Sequence, residues 1–157
     1  MARRVPPSTH VFDDRLLIVH SHPKNVDRYV SKGMFTSVGT HMGEATQILA
    51  LGHTHKQAAV NMAKFSRHGW IVYLCSVGQP RDGNSTASYA IVDLSVSIFK
   101  LHRTEYSIQE VKQAHDDVGL PSKSAKRLKR GVSDKEIGRV AKRSRLCRWY
   151  SQLRGHS

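Results

Sequence analysis

The stretch Ile48-Leu49-Ala50-Leu51-Gly52-His53-Thr54-His55 joins a short apolar run to two histidines that are two residues apart. Uninterrupted apolar runs of this length are typical of strands that are buried on both faces of a sheet. In extended backbone, side chains at positions i and i+2 point the same way, so His53 and His55 can face one point in space. Gly52 permits a close backbone approach at the strand end. The stretch therefore predicts a buried strand that ends in a metal site.

Two further apolar runs also end in polar residues. His20 follows Leu16–Val19, and the glycine-rich segment Ser76–Gly83 follows Trp70–Leu74. Because ligand sites gather at the carboxyl ends of neighbouring strands, we expect these residues to meet at one edge of a sheet. Imidazole suits manganese, iron, nickel and zinc, so a divalent metal ion is expected, and the ligand type alone does not name the metal.

The following segments predict the rest of an α/β domain with about five strands. Strands are expected over residues 87–94 and 96–106, joined by a tight turn. Ser107 and Glu110 have the spacing of a capping box, which predicts a helix over residues 107–118. Gly119 and Pro121 are typical of the end of such a helix.

These elements predict three regions: a flexible leader over residues 1–14, a domain over residues 15–121 and a basic C-terminal tail over residues 122–157. The net charge is +13, and the tail holds 12 of the 25 Lys and Arg residues but only 2 of the 12 Asp and Glu residues. Two helices are expected in it, over residues 124–130 and 133–145. The tail has the composition of a segment that binds nucleic-acid phosphates, or of a solvated terminal segment, and both interpretations stay open.

The composition argues against a membrane protein and a disulfide-stabilised one. No apolar run approaches the ~18 residues of a membrane-spanning helix, so no membrane partner is expected. The two cysteines, Cys75 and Cys147, have no metal or redox spacing. No apolar signal segment follows Arg3-Arg4, and a cytoplasmic location is therefore expected.

Four segments together resemble a known family: Leu17-Ile18-Val19-His20, Gly52-His53-Thr54-His55, Ser76–Gly83 with Ala87-Ser88-Tyr89-Ala90, and the stretch from Glu105 to Arg130-Gly131. In this order and spacing they are similar to the C-terminal half of a calcineurin-like metallophosphoesterase of the small prokaryotic phosphodiesterase type. The resemblance runs from about Leu16 to Gly131.

The resemblance implies a hydrolase that cleaves phosphodiesters or phosphomonoesters, with two metal ions that share a hydroxide. It implies His20, His53 and His55 as metal ligands. It also implies an active-site loop that shapes the metal site, made of Gly52, Ser76, Gly78, Arg81 and Asp82. Within this loop we expect Arg81 and Asp82 to hold the loop rather than to contact substrate.

The chain also departs from the family pattern. The family's Asp-x-His, Gly-Asp and Gly-Asn-His-Asp motifs do not occur in it. We therefore expect a partial α/β sandwich and an incomplete metal centre. A separate N-terminal half or a homodimer could complete it; the alternatives are a non-catalytic remnant and a nucleic-acid-binding protein that acts through the tail.

Overall fold

The computed structural model describes residues 9–12, 14–25, 27–121, 123–133 and 136. Within these ranges two sheets are formed by β1 (Thr9–Phe12), β2 (Leu16–Val19), β3 (Ile48–Leu51), β4 (Gln57–Asn61), β5 (Trp70–Leu74), β6 (Ala87–Asp93) and β7 (Ile98–Thr104). The α-helices are α1 (Phe35–Gly39), α2 (Ile108–Asp117) and α3 (Lys123–Arg130), and two short 3-10 helices span Lys32–Met34 and Met62–Phe65. None of the helices in these ranges is long and apolar enough to cross a membrane.

The larger sheet has the strand order β1-β2-β3-β5-β4. Its three central strands, β2, β3 and β5, are parallel, whereas β1 and β4 pair antiparallel at the two edges. The central strands carry the apolar runs predicted from the sequence, and β3 is buried along its whole length. Burial on both faces explains why these runs are continuous and do not alternate with polar residues.

Two strands were not predicted. Strand β1 lies inside the proposed flexible leader, which is therefore corrected over residues 9–12, where the backbone pairs along the edge of β2. Strand β4 follows the histidine pair and raises the strand number from about five to seven among the residues described. Both are edge strands, and each pairs antiparallel with the strand that follows it in the chain.

The larger sheet is covered on both faces. One face packs against α1 and the short 3-10 helices around Val38, Leu49 and Met62, which are fully buried. The other face packs against the antiparallel hairpin of β6 and β7, through apolar side chains such as those of Ile48 and Phe99. The α/β fold class predicted from the sequence is therefore confirmed.

The predicted capping box is present at the start of α2. The Ser107 hydroxyl accepts a hydrogen bond from the backbone N–H of Glu110, and Gly119 follows the helix with a φ of +70°. The boundary expected at residue 121 is less sharp, because α3 lies in the predicted tail yet buries Leu128. The helix predicted over residues 133–145 falls almost entirely outside the described residues.

Gly69 provides a test of the packing between the larger sheet and its helical cover. Its φ is +83°, and a Cβ there would lie 2.5 Å from the carbonyl oxygen of Gln47 and 2.8 Å from Cε of Met42. Gly69→Ala is expected to lower the free energy of unfolding by about 3 kcal/mol, since it combines backbone strain with overpacking. Chemical denaturation would measure this.

The matched control is Gly33→Ala, because Gly33 is exposed and a Cβ there would meet nothing within 4 Å. Its unfolding free energy should stay within about 0.5 kcal/mol of the parent chain. Equal losses of unfolding free energy in the two variants would show that the close packing of Gly69 against Gln47 and Met42 does not constrain the fold.

Candidate metal centre and its loop

Three parallel strands deliver the predicted site residues to one edge of the larger sheet. Val19 in β2 is opposite Leu51 in β3, which is opposite Tyr73 in β5. The residues that follow these three strands therefore emerge side by side. Sequence reasoning predicted this convergence from the apolar runs, because parallel strands in register end together.

Gly52 brings the first two strand ends close together. Its backbone N–H donates to the carbonyl oxygen of His20 at 3.0 Å, and a Cβ on Gly52 would lie 3.2 Å from that oxygen and 3.5 Å from Nδ1 of His20. A larger residue here would have to displace His20. The glycine therefore sets the spacing between His20 and the histidine pair that follows β3.

His20 and His53 face each other at this edge. Nε2 of His20 lies 3.1 Å from Nδ1 of His53, and the ring centroids are 5.0 Å apart. Two imidazole nitrogens bound to one tetrahedral ion with metal–nitrogen bonds of about 2.0–2.1 Å are roughly 3.3 Å apart. The observed spacing is close to that value, so the pair fits two corners of one metal site.

His55 is oriented by the loop that follows β5. Its Nδ1 lies 2.6 Å from the carbonyl oxygen of Gln79, which can only accept, so Nδ1 carries the proton and Nε2 keeps its lone pair. A hydrogen bond of this kind is how proteins usually orient a metal-binding histidine. Nε2 is therefore the nitrogen of His55 that is available to a ligand.

The surroundings of His53 and His55 favour neutral imidazoles. Burial lowers the pKa of both side chains, and the nearby positive charges of His20 and Arg81 lower them further. Hydrogen bonds to backbone groups act in the opposite direction without cancelling the shift. Neutral imidazole is the form that binds a metal, so the electrostatics of this edge suit metal binding.

Backbone strain is concentrated at the same edge. His53 and His55 have φ values of +62° and +57°, and Cys75, directly after β5, has a φ of +71°. Residues with side chains rarely adopt this left-handed region, and such strain tends to cluster at functional sites. His53 and His55 therefore do not have the extended backbone from which their common direction was predicted, and that premise of the sequence analysis is wrong.

The sequence implied divalent metal ions held by His20, His53 and His55. Within the part of the chain that the structure describes, no group of three or more His, Cys, Asp or Glu residues is arranged to hold a metal ion. His20 and His53 fit one ion with open positions. The set does not fit a bridged pair of ions, for which this edge lacks a shared carboxylate.

Hydrogen bonds hold the predicted active-site loop in an irregular, bent conformation. The Ser76 hydroxyl accepts a hydrogen bond from the backbone N–H of Gln79 at 2.9 Å, and the carbonyl oxygen of Gly78 accepts one from the Tyr106 hydroxyl at 3.3 Å. These contacts place the carbonyl of Gln79 under His55. The loop therefore supports a histidine of the site through its backbone.

Asp82 connects the loop to strands β4 and β7 through hydrogen bonds. Its carboxylate accepts hydrogen bonds from the Arg103 guanidinium and from the backbone N–H of Gln57 at 3.1 Å. Burial by itself would raise the pKa of Asp82, but these hydrogen bonds and the Arg103 charge outweigh it and lower the pKa. Arg103 also donates to the Gln57 side chain at 3.0 Å, so one cluster joins the loop, β4 and β7.

Two residues that support the histidines or their loop were not found from the sequence. Tyr29 stacks on His53 with ring centroids 4.1 Å apart, and its hydroxyl accepts a hydrogen bond from Arg81 at 3.3 Å. Arg103 supports the loop from β7. Neither residue lies in a motif, and each reaches the site only through the tertiary fold.

The Cys75 thiol is buried and donates to the carbonyl oxygen of His55 at 3.1 Å. Burial raises the pKa of this thiol, and the nearby Asp82 carboxylate raises it further. A protonated thiol is a poor nucleophile. Cys75 therefore stabilises the turn at His55 and does not have the surroundings of a catalytic cysteine.

Comparison with known proteins supports the architecture. No family model and no curated protein matches the chain. Among solved structures, a metallophosphoesterase from Sphaerobacter thermophilus superposes with a TM-score of 0.69 at 26% sequence identity, over 80% of this chain and 59% of that one. The chain has part of a metallophosphoesterase fold.

A second structure, a hypothetical protein from Pyrococcus horikoshii, superposes with a TM-score of 0.59 at 20% identity, over 74% of this chain and 46% of that one. This likeness supports the fold alone. The chain thus spans 59% and 46% of these two structures. Metallophosphoesterases use divalent metal ions as a family, and the ligands His20, His53 and His55 remain predictions for this chain.

Proposed function

We propose that this chain provides the histidine ligands of the active site of a metal-dependent phosphoesterase. The observation that supports the proposal is the 3.1 Å contact between Nε2 of His20 and Nδ1 of His53, at the carboxyl edge of a metallophosphoesterase-like sheet. The proposed substrate is a phosphomonoester or a phosphodiester. The proposed cofactor is manganese, with iron, nickel or zinc as chemically similar substitutes.

His20 and His53 would hold one metal ion, and Nε2 of His55 is the proposed ligand of the other ion that the family resemblance implies. A bound divalent ion supplies positive charge that stabilises the phosphoryl oxygens during ester hydrolysis. The chain's own residues position that charge. Gly52 sets the spacing of the histidines, and the Gln79 carbonyl fixes the proton position on His55.

We further propose that the site needs ligands from elsewhere to become fully active. The chain contains none of the family's three carboxylate-bearing motifs, and the described histidines alone do not fit a bridged metal pair. A separate N-terminal half or a second copy of the chain could supply the missing ligands. A reduced, cytoplasmic setting is part of the same proposal, since Cys75 is a free thiol.

The test is a Mn²⁺ titration by calorimetry, together with hydrolysis of a chromogenic bis-aryl phosphate and of a mono-aryl phosphate. We expect binding of one Mn²⁺ per chain and slow turnover by the chain alone. Light scattering with and without Mn²⁺ would identify a metal-dependent homodimer. Absence of any Mn²⁺ binding near pH 7 would contradict the proposed function.

A further inference from the structure

Arg81 lies beside His55, and its guanidinium contacts Tyr29 and Gln79. Its backbone N–H donates to the carbonyl oxygen of His55 at 2.7 Å, which anchors its main chain next to the site. Nη1 donates to the Tyr29 hydroxyl at 3.3 Å, and Nη2 donates to Oε1 of Gln79 at 3.4 Å. Both bonds are long and both acceptors are neutral, so the guanidinium is held without being neutralised.

The contrast with Arg103 shows what is unusual about Arg81. Arg103 is paired with the carboxylate of Asp82. Among the residues that the structure describes, no carboxylate lies within ion-pair distance of Arg81. A partly buried guanidinium keeps a strong preference for an anion, and its planar fork of donors matches the oxygens of phosphate.

Tyr29 connects this cation to the metal ligands. Its ring stacks on His53 at a centroid distance of 4.1 Å, and 51% of the residue is exposed to solvent. Tyr29 thus contacts the guanidinium through its hydroxyl and the imidazole through its ring.

We propose that Arg81 and the Tyr29 hydroxyl form an oxyanion subsite that binds the phosphate group of the substrate beside His20 and His53. The proposal rests on the proposed function, because it assigns the recognition of the phosphate ester to residues of that same site. It also separates the two residues that were both expected to hold the loop. Asp82 makes the contacts of a loop-holding residue, and Arg81 contacts the substrate.

The test is a titration of the metal-free chain with inorganic phosphate at constant ionic strength. Phosphate binding is monitored by NMR through the ring signals of His53 and His55. A site-resolved readout is needed because the chain carries 25 Lys and Arg residues. Arg81→Met is expected to weaken phosphate binding at these signals by at least about tenfold, since it removes charge-assisted hydrogen bonds. Arg81→Lys should recover part of the loss, and Tyr29→Phe should weaken binding about threefold.

The control is Arg130→Met, which removes the same charge from an exposed position on α3 and should change phosphate affinity less than about twofold. Equal affinities for the parent chain and Arg81→Met, with both chains folded by circular dichroism, would overturn the proposal. Absence of phosphate-dependent shifts in the parent chain would overturn it as well.

A parallel Mn²⁺ titration keeps the two proposals apart. Phosphate binding that depends on Arg81 in a chain without Mn²⁺ affinity would support the subsite and contradict the metal-dependent function. Mn²⁺ binding in a chain whose histidine signals do not respond to phosphate would support the metal-dependent function and contradict the subsite. Arg81→Met should leave Mn²⁺ affinity within about threefold of the parent, because Arg81 contacts no proposed metal-binding nitrogen.

Discussion

Replacing His53 by alanine is expected to weaken Mn²⁺ binding by about a hundredfold or more. The substitution removes one of the two nitrogens that lie 3.1 Å apart and leaves His20 as a single exposed donor. One imidazole in water holds a divalent ion only weakly, because chelation by a second fixed donor is lost. Calorimetric titration of the parent chain and of His53→Ala under the same buffer would measure the difference.

The matched control for this experiment is His68→Ala. His68 is exposed and lies after the 3-10 helix Met62–Phe65, so the substitution removes an imidazole without touching the site. We expect unchanged Mn²⁺ affinity in that variant. Similar losses in both variants, or no loss in His53→Ala, would show that Mn²⁺ binds elsewhere on the chain and would remove the support for the histidine site.

Replacing Arg103 by methionine is expected to lower the free energy of unfolding by about 2–4 kcal/mol. The side chains of Arg103 and Asp82 are only 19% and 17% exposed, so the substitution leaves a largely buried carboxylate without its counter-charge. It also removes the hydrogen bond to the Gln57 side chain. Urea denaturation at neutral pH would measure the loss.

The same variant should lose part of the pH dependence of stability. The pKa of Asp82 is lowered in the folded chain, so its contribution to stability is present above the unfolded value of 3.8. This contribution disappears as the pH falls through the folded pKa, which lies below that value. The free energy of unfolding should therefore fall less steeply between about pH 6 and about pH 2 in Arg103→Met than in the parent chain.

Lys112→Met serves as the comparison for a solvent-exposed ion pair. Lys112 and Asp116 are four residues apart on α2, 3.6 Å from each other, and their side chains are 56% and 42% exposed. Such a pair contributes at most about 0.5 kcal/mol. If Arg103→Met costs no more than Lys112→Met, the Asp82 cluster does not anchor the loop in the way that we infer.

Much of the fold could be predicted because its signals are local. The apolar runs at β2, β3 and β5, the turn between β6 and β7, and the capping box at Ser107 were all read from neighbouring residues, and the structure confirms each of these elements. The placement of His20 beside His53 also followed from local signals, since parallel strands in register end at the same edge. Their role as metal ligands remains a prediction.

The sequence by itself determined which segments are buried strands, where the main helix begins and ends, and that histidines follow the strand ends. Those properties depend on periodicity and on contacts within a few residues of the chain. Only the tertiary structure decided that the 9–12 segment pairs with β2, that Tyr29 stacks on His53 and that Asp82 is paired with Arg103 while Arg81 is not. The contacts of Tyr29 and of Arg103 join residues far apart in the chain and depend on strand order and packing, which no local pattern encodes. The 9–12 segment pairs with the strand that directly follows it, and its pairing was not predicted from its own residues.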